Sequence, residues 1–173
     1  DLNETFECRG NLFYINDINK DILMSDVIII SAHWNDRTIS PGANLSNYIG
    51  KVYNKKVLIV GAVGFSYPNT IALDMLNYNI SDEELGPFIL EKHLIKRIAV
   101  ISEKIPQLIT NENIYYLSKY DFFCNDKGCA LFYSKGKPKI WDFGHLTEYS
   151  LLDYGLYITS KLDSIQIVVN KND

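Results

Sequence analysis

Three short, almost wholly apolar runs constrain this chain more than anything else in it. They are Val27-Ile28-Ile29-Ile30, Val57-Leu58-Ile59-Val60 and Ile114-Tyr115-Tyr116-Leu117. Each is too short for a helix and rich in β-branched or aromatic residues, which fit a pleated surface. None alternates with polar residues, so each must be covered on both faces. Strands of that kind belong to parallel sheets, whose crossover helices pack above and below. The expected fold is therefore α/β: a three-layer sandwich around a mainly parallel sheet, in one domain spanning residues 1–173.

The intervening segments supply the helices. Leu12, Ile15, Ile18, Ile22 and Leu23 predict a short amphipathic helix over Asn11 to Met24. Ser40-Pro41-Gly42 precedes a helix predicted over about Ala43 to Asn54, and a weaker one is predicted from Thr70 to Asn77. A longer helix is predicted from Pro87 to Lys104, with Pro106 beyond its end and His93 in its apolar stripe. Ala130–Tyr133 and Lys139–Trp141 read as a short hairpin or two edge segments. A last helix is expected over Thr147 to about Ser160, and Ile165–Val169 as an extra strand.

Charge and length narrow the function classes. The 173 residues carry 17 Lys and Arg against 21 Asp and Glu, a net −4, so the basic stripe of a nucleic-acid binder is missing. No run approaches the roughly 18 apolar residues of a membrane span. The chain opens on Asp1 with no basic-then-apolar leader, so no export signal is visible. Gly61-Ala62-Val63-Gly64 follows a strand but lacks the Gly-x-Gly-x-x-Gly spacing of a phosphate loop, and nucleotide binding is set aside.

Cys124 and Cys129 flank the turn-forming Asn125-Asp126-Lys127-Gly128. That spacing suits either a disulfide or two reduced thiols. A structural zinc site wants four Cys or His ligands, and only this pair is local. Cys8 is left over, and His33, His93 and His145 are too scattered for a local metal motif. No metal or organic cofactor is expected.

In open α/β sheets, sites form beyond the carboxyl ends of the strands. That rule directs attention to His33–Asp36, to Gly61–Asn69 and to the loop around Asp142 and His145. The last holds the sharpest constellation, Asp142-Phe143-Gly144-His145-Leu146-Thr147. An Asp three residues before a His can hold the imidazole Nδ1–H and leave Nε2 free to take a proton. The plain alternative is a surface turn in which Thr147 caps the next helix, with Glu148 in its first turn.

The string Trp141 to Thr147, with Gly155 downstream, resembles the last block of the SGNH hydrolase family. More narrowly, it is similar to the SGNH domains fused to the C-terminus of acyltransferase-3 membrane proteins. Asp26 to Trp34 resembles a strand of that subfamily ending in Trp, and Lys56 to Gly61 its next strand. Tyr120-Asp121-Phe122-Phe123-Cys124 through Cys129 resembles its Cys-pair loop. The four stretches keep the family's order over about Asp26 to Gly155.

The resemblance implies a Ser-His-Asp mechanism of O-acyl transfer or ester hydrolysis. His145 would be the general base, Asp142 its orienting carboxylate and Asn35 an oxyanion donor, although His33 stands where the family has Gly. It implies a glycan acceptor at the cell surface, an acyl donor (usually acetyl) and a membrane acyltransferase region in the parent chain. The domain would lie in the periplasm or otherwise outside the cytoplasm, where an oxidised Cys124–Cys129 pair is favoured.

The family's Gly-Asp-Ser block, which holds the nucleophile, is missing from the sequence. Ser31 and Ser66 lie at strand ends without the flanking Gly and Asp. The reading is of an N-terminally incomplete domain lacking its first strand and inactive on its own. Its Val27–Ile30 strand would be an apolar edge prone to aggregation. The alternative is a catalytically inactive module that binds a glycan or a protein partner.

Overall fold

The computed structural model describes the backbone of residues 5–8 and 11–14, and the whole of residues 24–133 and 136–164. At its centre three strands run parallel in the order β3-β4-β5: Val27–Ser31, Lys56–Val60 and Ile114–Leu117. The register pairs Ile29 with Leu58 and Ile59 with Tyr116. The three apolar runs are thus the three strands expected.

The central strand β4 shows why its sequence has no polar face. Val57 and Ile59 pack on helices α1 (Ile39–Tyr53) and α4 (Lys96–Leu108), among Ile39, Ile49, Ile101 and Ile105. Leu58 and Val60 face the other way, onto Tyr154, Tyr157, Ile158 and Leu162 of the last helix, α6 (Glu148–Ser164). The result is helix, sheet, helix: the three-layer sandwich. Each of these buried aliphatic side chains contributes on the order of 2 kcal/mol of transfer free energy.

A third core lies beyond the strand ends. Phe65, Ile71, Ile89, Phe123, Leu131 and Ile140 pack there against the disulfide formed by Cys124 and Cys129. The two cysteines face each other across the paired strands β6 (Cys124–Asn125) and β7 (Gly128–Cys129). Gly128 lies against the backbone of Gly86 and Pro87, where a Cβ would not fit, so the hairpin docks closely on helix α3 (Asp82–Phe88).

Several boundaries differ from expectation, each for a physical reason. Instead of a helix beginning at Asn11, β2 (Asn11–Tyr14) pairs antiparallel with β1 (Thr5–Cys8). The consecutive Leu12-Phe13-Tyr14 favours a strand over the helical spacing read there. The rest of that predicted helix up to residue 23, and the predicted strand Ile165–Val169, fall outside the described residues. Helix α1 begins at Ile39, so Ser40, Pro41 and Gly42 lie in its first turn, where Pro needs no N–H partner. Gly42 meets the ring of Trp34, leaving no room for a Cβ. Helix α2 (Pro68–Tyr78) is slightly longer than read.

The largest correction is the predicted Pro87–Lys104 helix, which is two helices. Helix α3 starts at a capping box between Ser81 and Glu84, runs through Pro87 and ends in a π-turn, Ile89–His93. Leu94 is then extended and bridges to Phe65, while Ile95 N–H donates to the Gly64 carbonyl at 2.8 Å. Helix α4 resumes at Lys96 and contains Pro106. The pull of the Phe65 segment on Leu94 is tertiary, so no local pattern signals the break. Phe132 bridges antiparallel to Pro138 and the Lys139 N–H donates to the Leu131 carbonyl at 2.7 Å, as a hairpin reading requires, while Ile140 bridges onward to Leu146.

Among the described residues, no strand lies on the far side of β3, and Ile29 is 53% exposed. The expected apolar edge is there. No described helix is long and apolar enough to cross a membrane.

Candidate active site

The carboxyl ends of the three strands open onto one rim. From β3 the chain enters a loop with His33, Trp34 and Asn35; from β4, the Gly61–Ser66 segment; from β5, Ser118 and Lys119. Between the β6-β7 hairpin and α6 the turn from Trp141 to His145 reaches the same rim. It is moored to the β4 extension by the Phe65 N–H, which donates to the Phe143 carbonyl at 2.9 Å.

Within that turn one carboxylate organises the rest. Asp142 Oδ1 accepts the backbone N–H groups of Gly144 and His145, both at 2.8 Å. Its Oδ2 lies 2.5 Å from His145 Nδ1. The Asp-x-x-His spacing suffices for this because a tight turn folds the imidazole back over the carboxylate that caps it. Partial burial works against ionisation of Asp142. The N–H groups of His145 and Gly144 and the imidazole itself outweigh it, holding the carboxyl at about pKa 2. The His145 side chain remains 71% exposed, and Nε2 has no hydrogen bond among the described residues. A base clamped on one nitrogen and open on the other is what proton abstraction from a hydroxyl needs.

Lys119, which sequence reading missed, supports the turn from below. Its Nζ donates to the Gly144 carbonyl at 2.8 Å. Burial lowers its pKa, and the Asp142 charge opposes that shift. The available signal was position: Lys119 stands two residues past a buried strand, at its carboxyl end.

The other predicted residues are placed as follows. Trp34 is 2% exposed and packs in the core, its Nε1–H donating to the Val60 carbonyl at 2.6 Å. Asn35 is at the rim but on a different loop from the dyad. Its Oδ1 accepts from Arg37 N–H at 2.9 Å and Thr38 N–H at 3.2 Å, and Nδ2 reaches the His33 carbonyl only at 3.4 Å. The structure therefore brings Asp142 and His145 together and leaves Asn35 in its own turn. An exposed Asp36–Arg97 pair at 2.9 Å fastens that loop to α4. Ser31 ends β3, and Ser66 backs onto the π-turn, its N–H donating to the His93 carbonyl at 2.8 Å. Thr147 does not cap α6: its hydroxyl donates to the carbonyls of Pro138 and Lys139. Cys124 and Cys129 are oxidised to the disulfide. Among the described residues, no cluster of three or more His, Cys, Asp or Glu could hold a metal ion.

A second Asp–His pair, also missed, lies nearby. His93 Nε2 is 3.7 Å from Asp74 Oδ2, and that imidazole is 4% exposed. No local spacing announces it, because Asp74 is on α2 and His93 on the π-turn.

Comparison with known proteins shows the family and the fold. The model of the SGNH domain fused to AT3 domains matches residues 6–152. The solved periplasmic domain of a lipopolysaccharide acetyltransferase from Salmonella ser. Paratyphi A superposes with a TM-score of 0.58 at 17% identity. The match covers 83% of this chain and 57% of that one, so this chain spans little more than half of the solved domain. No curated protein sequence matches it.

Proposed function

Because the chain belongs to the family of SGNH domains fused to AT3 domains, we propose that it carries the base half of a Ser-His-Asp site for O-acyl transfer to, or ester hydrolysis on, a cell-surface glycan. The observation that carries this reading is the Asp142–His145 contact of 2.5 Å with the imidazole's far side open to solvent. The attacking Ser belongs to a Gly-Asp-Ser block upstream of Asp1. It arrives on a strand that pairs along the open edge of β3, where Ile29 is exposed. That strand would place its carboxyl end, and so its Ser, at the rim shared with His145.

The chemistry follows from the geometry. The Ser Oγ attacks the acyl carbonyl while its proton passes to His145 Nε2; Asp142, ionised, stabilises the imidazolium through Nδ1–H. Collapse of the tetrahedral adduct breaks the bond to the leaving oxygen, which takes the proton from Nε2. An acceptor hydroxyl, of a sugar or of water, then attacks the acyl-enzyme, again giving its proton to His145, and Ser Oγ leaves and is reprotonated. Asn35 Nδ2 is the oxyanion donor of this reading. Because Oδ1 of the same amide accepts from the Arg37 and Thr38 N–H groups, that turn has to give up those bonds when Nδ2 moves to the oxyanion.

The domain works outside the cytoplasm beside a membrane acyltransferase region that delivers the acyl group. Acetyl is the group, in keeping with the lipopolysaccharide acetyltransferase whose periplasmic domain it resembles. The full-length protein, upstream segment included, should hydrolyse an aryl acetate, and His145→Ala should remove that activity. Turnover unaffected by the substitution would exclude His145 as the base and favour a module that only binds.

A further inference from the structure

The second Asp–His pair lines a cavity that the catalytic reading does not use. A space of about 600 Å³ lies between helix α2 and the π-turn, with Ser66, Thr70, Asp74, Tyr78, Phe88 and His93 on its walls. His93 Nε2 is buried there without a hydrogen-bond partner, 3.7 Å from the Asp74 carboxylate. A buried imidazole nitrogen left unpaired costs free energy unless something pairs with it. The Ser66 and Thr70 hydroxyls accept or donate no side-chain hydrogen bond among the described residues. Two aromatic rings complete the lining: Tyr78 and Phe88 have ring centroids 6.0 Å apart, and Phe88 meets the His93 ring at 5.0 Å.

Such walls select their occupant. An apolar ligand would leave Asp74, His93 and two hydroxyls unsatisfied. A phosphate would meet the Asp74 charge, and Lys92, which also lines the cavity, is paired with Glu91 at 2.9 Å. A ring with several neighbouring hydroxyls and apolar C–H groups suits this mixed lining: hydroxyls for Ser66, Thr70, Asp74 and His93, C–H groups for Tyr78 and Phe88. We propose that this cavity is a pyranose-binding subsite.

Its location ties it to the rim. The backbone of Phe65 donates to the Phe143 carbonyl, and the next residue, Ser66, donates to the His93 carbonyl. One extended segment thus forms the boundary of both sites. Between them lie two exposed rings, Tyr67 and Phe143, at 6.4 Å, and Phe143 stands 5.9 Å from His145. A glycan spanning the two would present one sugar to His145 and seat a neighbouring one in the cavity. That placement on an acceptor chain rests on the acyl-transfer reading; sugar binding itself does not.

The test is saturation-transfer NMR on the full-length protein with the methyl pyranosides of glucose, galactose, mannose and N-acetylglucosamine as probes. At least one should show transfer that weakens about fivefold or more, the loss of one hydrogen bond, in both Asp74→Asn and Thr70→Val. Thr70 is exposed and Asn matches Asp in shape, so both variants should keep the wild-type Tm. His145→Ala should bind the probe as the wild type does. No transfer from any of the four, or transfer unchanged in both cavity variants, would overturn the proposal. Sugar binding together with full aryl-acetate turnover in His145→Ala would instead overturn the acyl-transfer reading alone.

Discussion

Two Asp–His pairs are tied to the same Phe65–Ser66 segment, and they are opposites. In Asp142–His145 the carboxylate touches the ring at 2.5 Å and accepts two backbone N–H groups, while the imidazole is mostly in solvent. In Asp74–His93 the groups stand 3.7 Å apart with no hydrogen bond, and the imidazole is almost wholly buried. Burial lowers the pKa of His93, only partly offset by Asp74, which favours the neutral ring. The residue types are the same; access and hydrogen-bond geometry are the grounds on which we propose one pair for moving protons and the other for receiving a ligand.

Substitution at the exposed pair should have the largest effect. His145→Ala in the full-length protein should cut aryl-acetate turnover on the order of 10⁴-fold or more, measured as kcat/KM. Asp142→Asn should be roughly a hundredfold milder. Asn can still accept the Gly144 and His145 N–H groups, so the turn should persist while the charge that supports the imidazolium is lost. Turnover unchanged in Asp142→Asn would mean that Asp142 only holds the turn and does not support the charge.

The disulfide core underlies both pairs, and Cys124→Ser with Cys129→Ser should cost about 2 kcal/mol of stability, read from denaturant unfolding with and without reductant. A loss well under 1 kcal/mol would show that packing of Phe123, Leu131 and Ile140 suffices to hold this end of the molecule.

Acid titration should separate the pairs most finely. His93 has a folded pKa below its unfolded value of about 6.5, so the unfolded chain binds more protons below that pH. Stability should therefore start to fall as pH drops through about 6.5, and His93→Gln should remove this upper part of the profile. Asp142 is depressed from 3.8 to about 2. Its contribution should be complete above about pH 4 and disappear as pH falls towards 2, and Asp142→Asn should remove only that lower part. A profile flat from pH 7 to 5 would contradict the buried neutral state of His93.

What could be read beforehand follows a physical line. The runs Val27–Ile30, Val57–Val60 and Ile114–Leu117 were legible because a strand with no polar face has one kind of home. Asp142–His145 was legible because its partners lie within one turn. The break at Leu94 was not, since it depends on Phe65 arriving from another part of the chain. Nor was Asp74–His93, where His93 passes for one more member of an apolar helical stripe. Lys119 was hidden by its type: a lysine after a strand is ordinarily solvated, and only the Gly144 carbonyl above it shows otherwise.

The account stands on the imidazole of His145 being held in one tautomer by Asp142. Two-bond ¹H–¹⁵N NMR of the histidine rings, with His145 neutral, reports this directly. The predicted spectrum has the proton on Nδ1, shifted far downfield by the carboxylate, and a bare Nε2. A proton on Nε2, or averaged signals from a freely turning ring, would contradict the account.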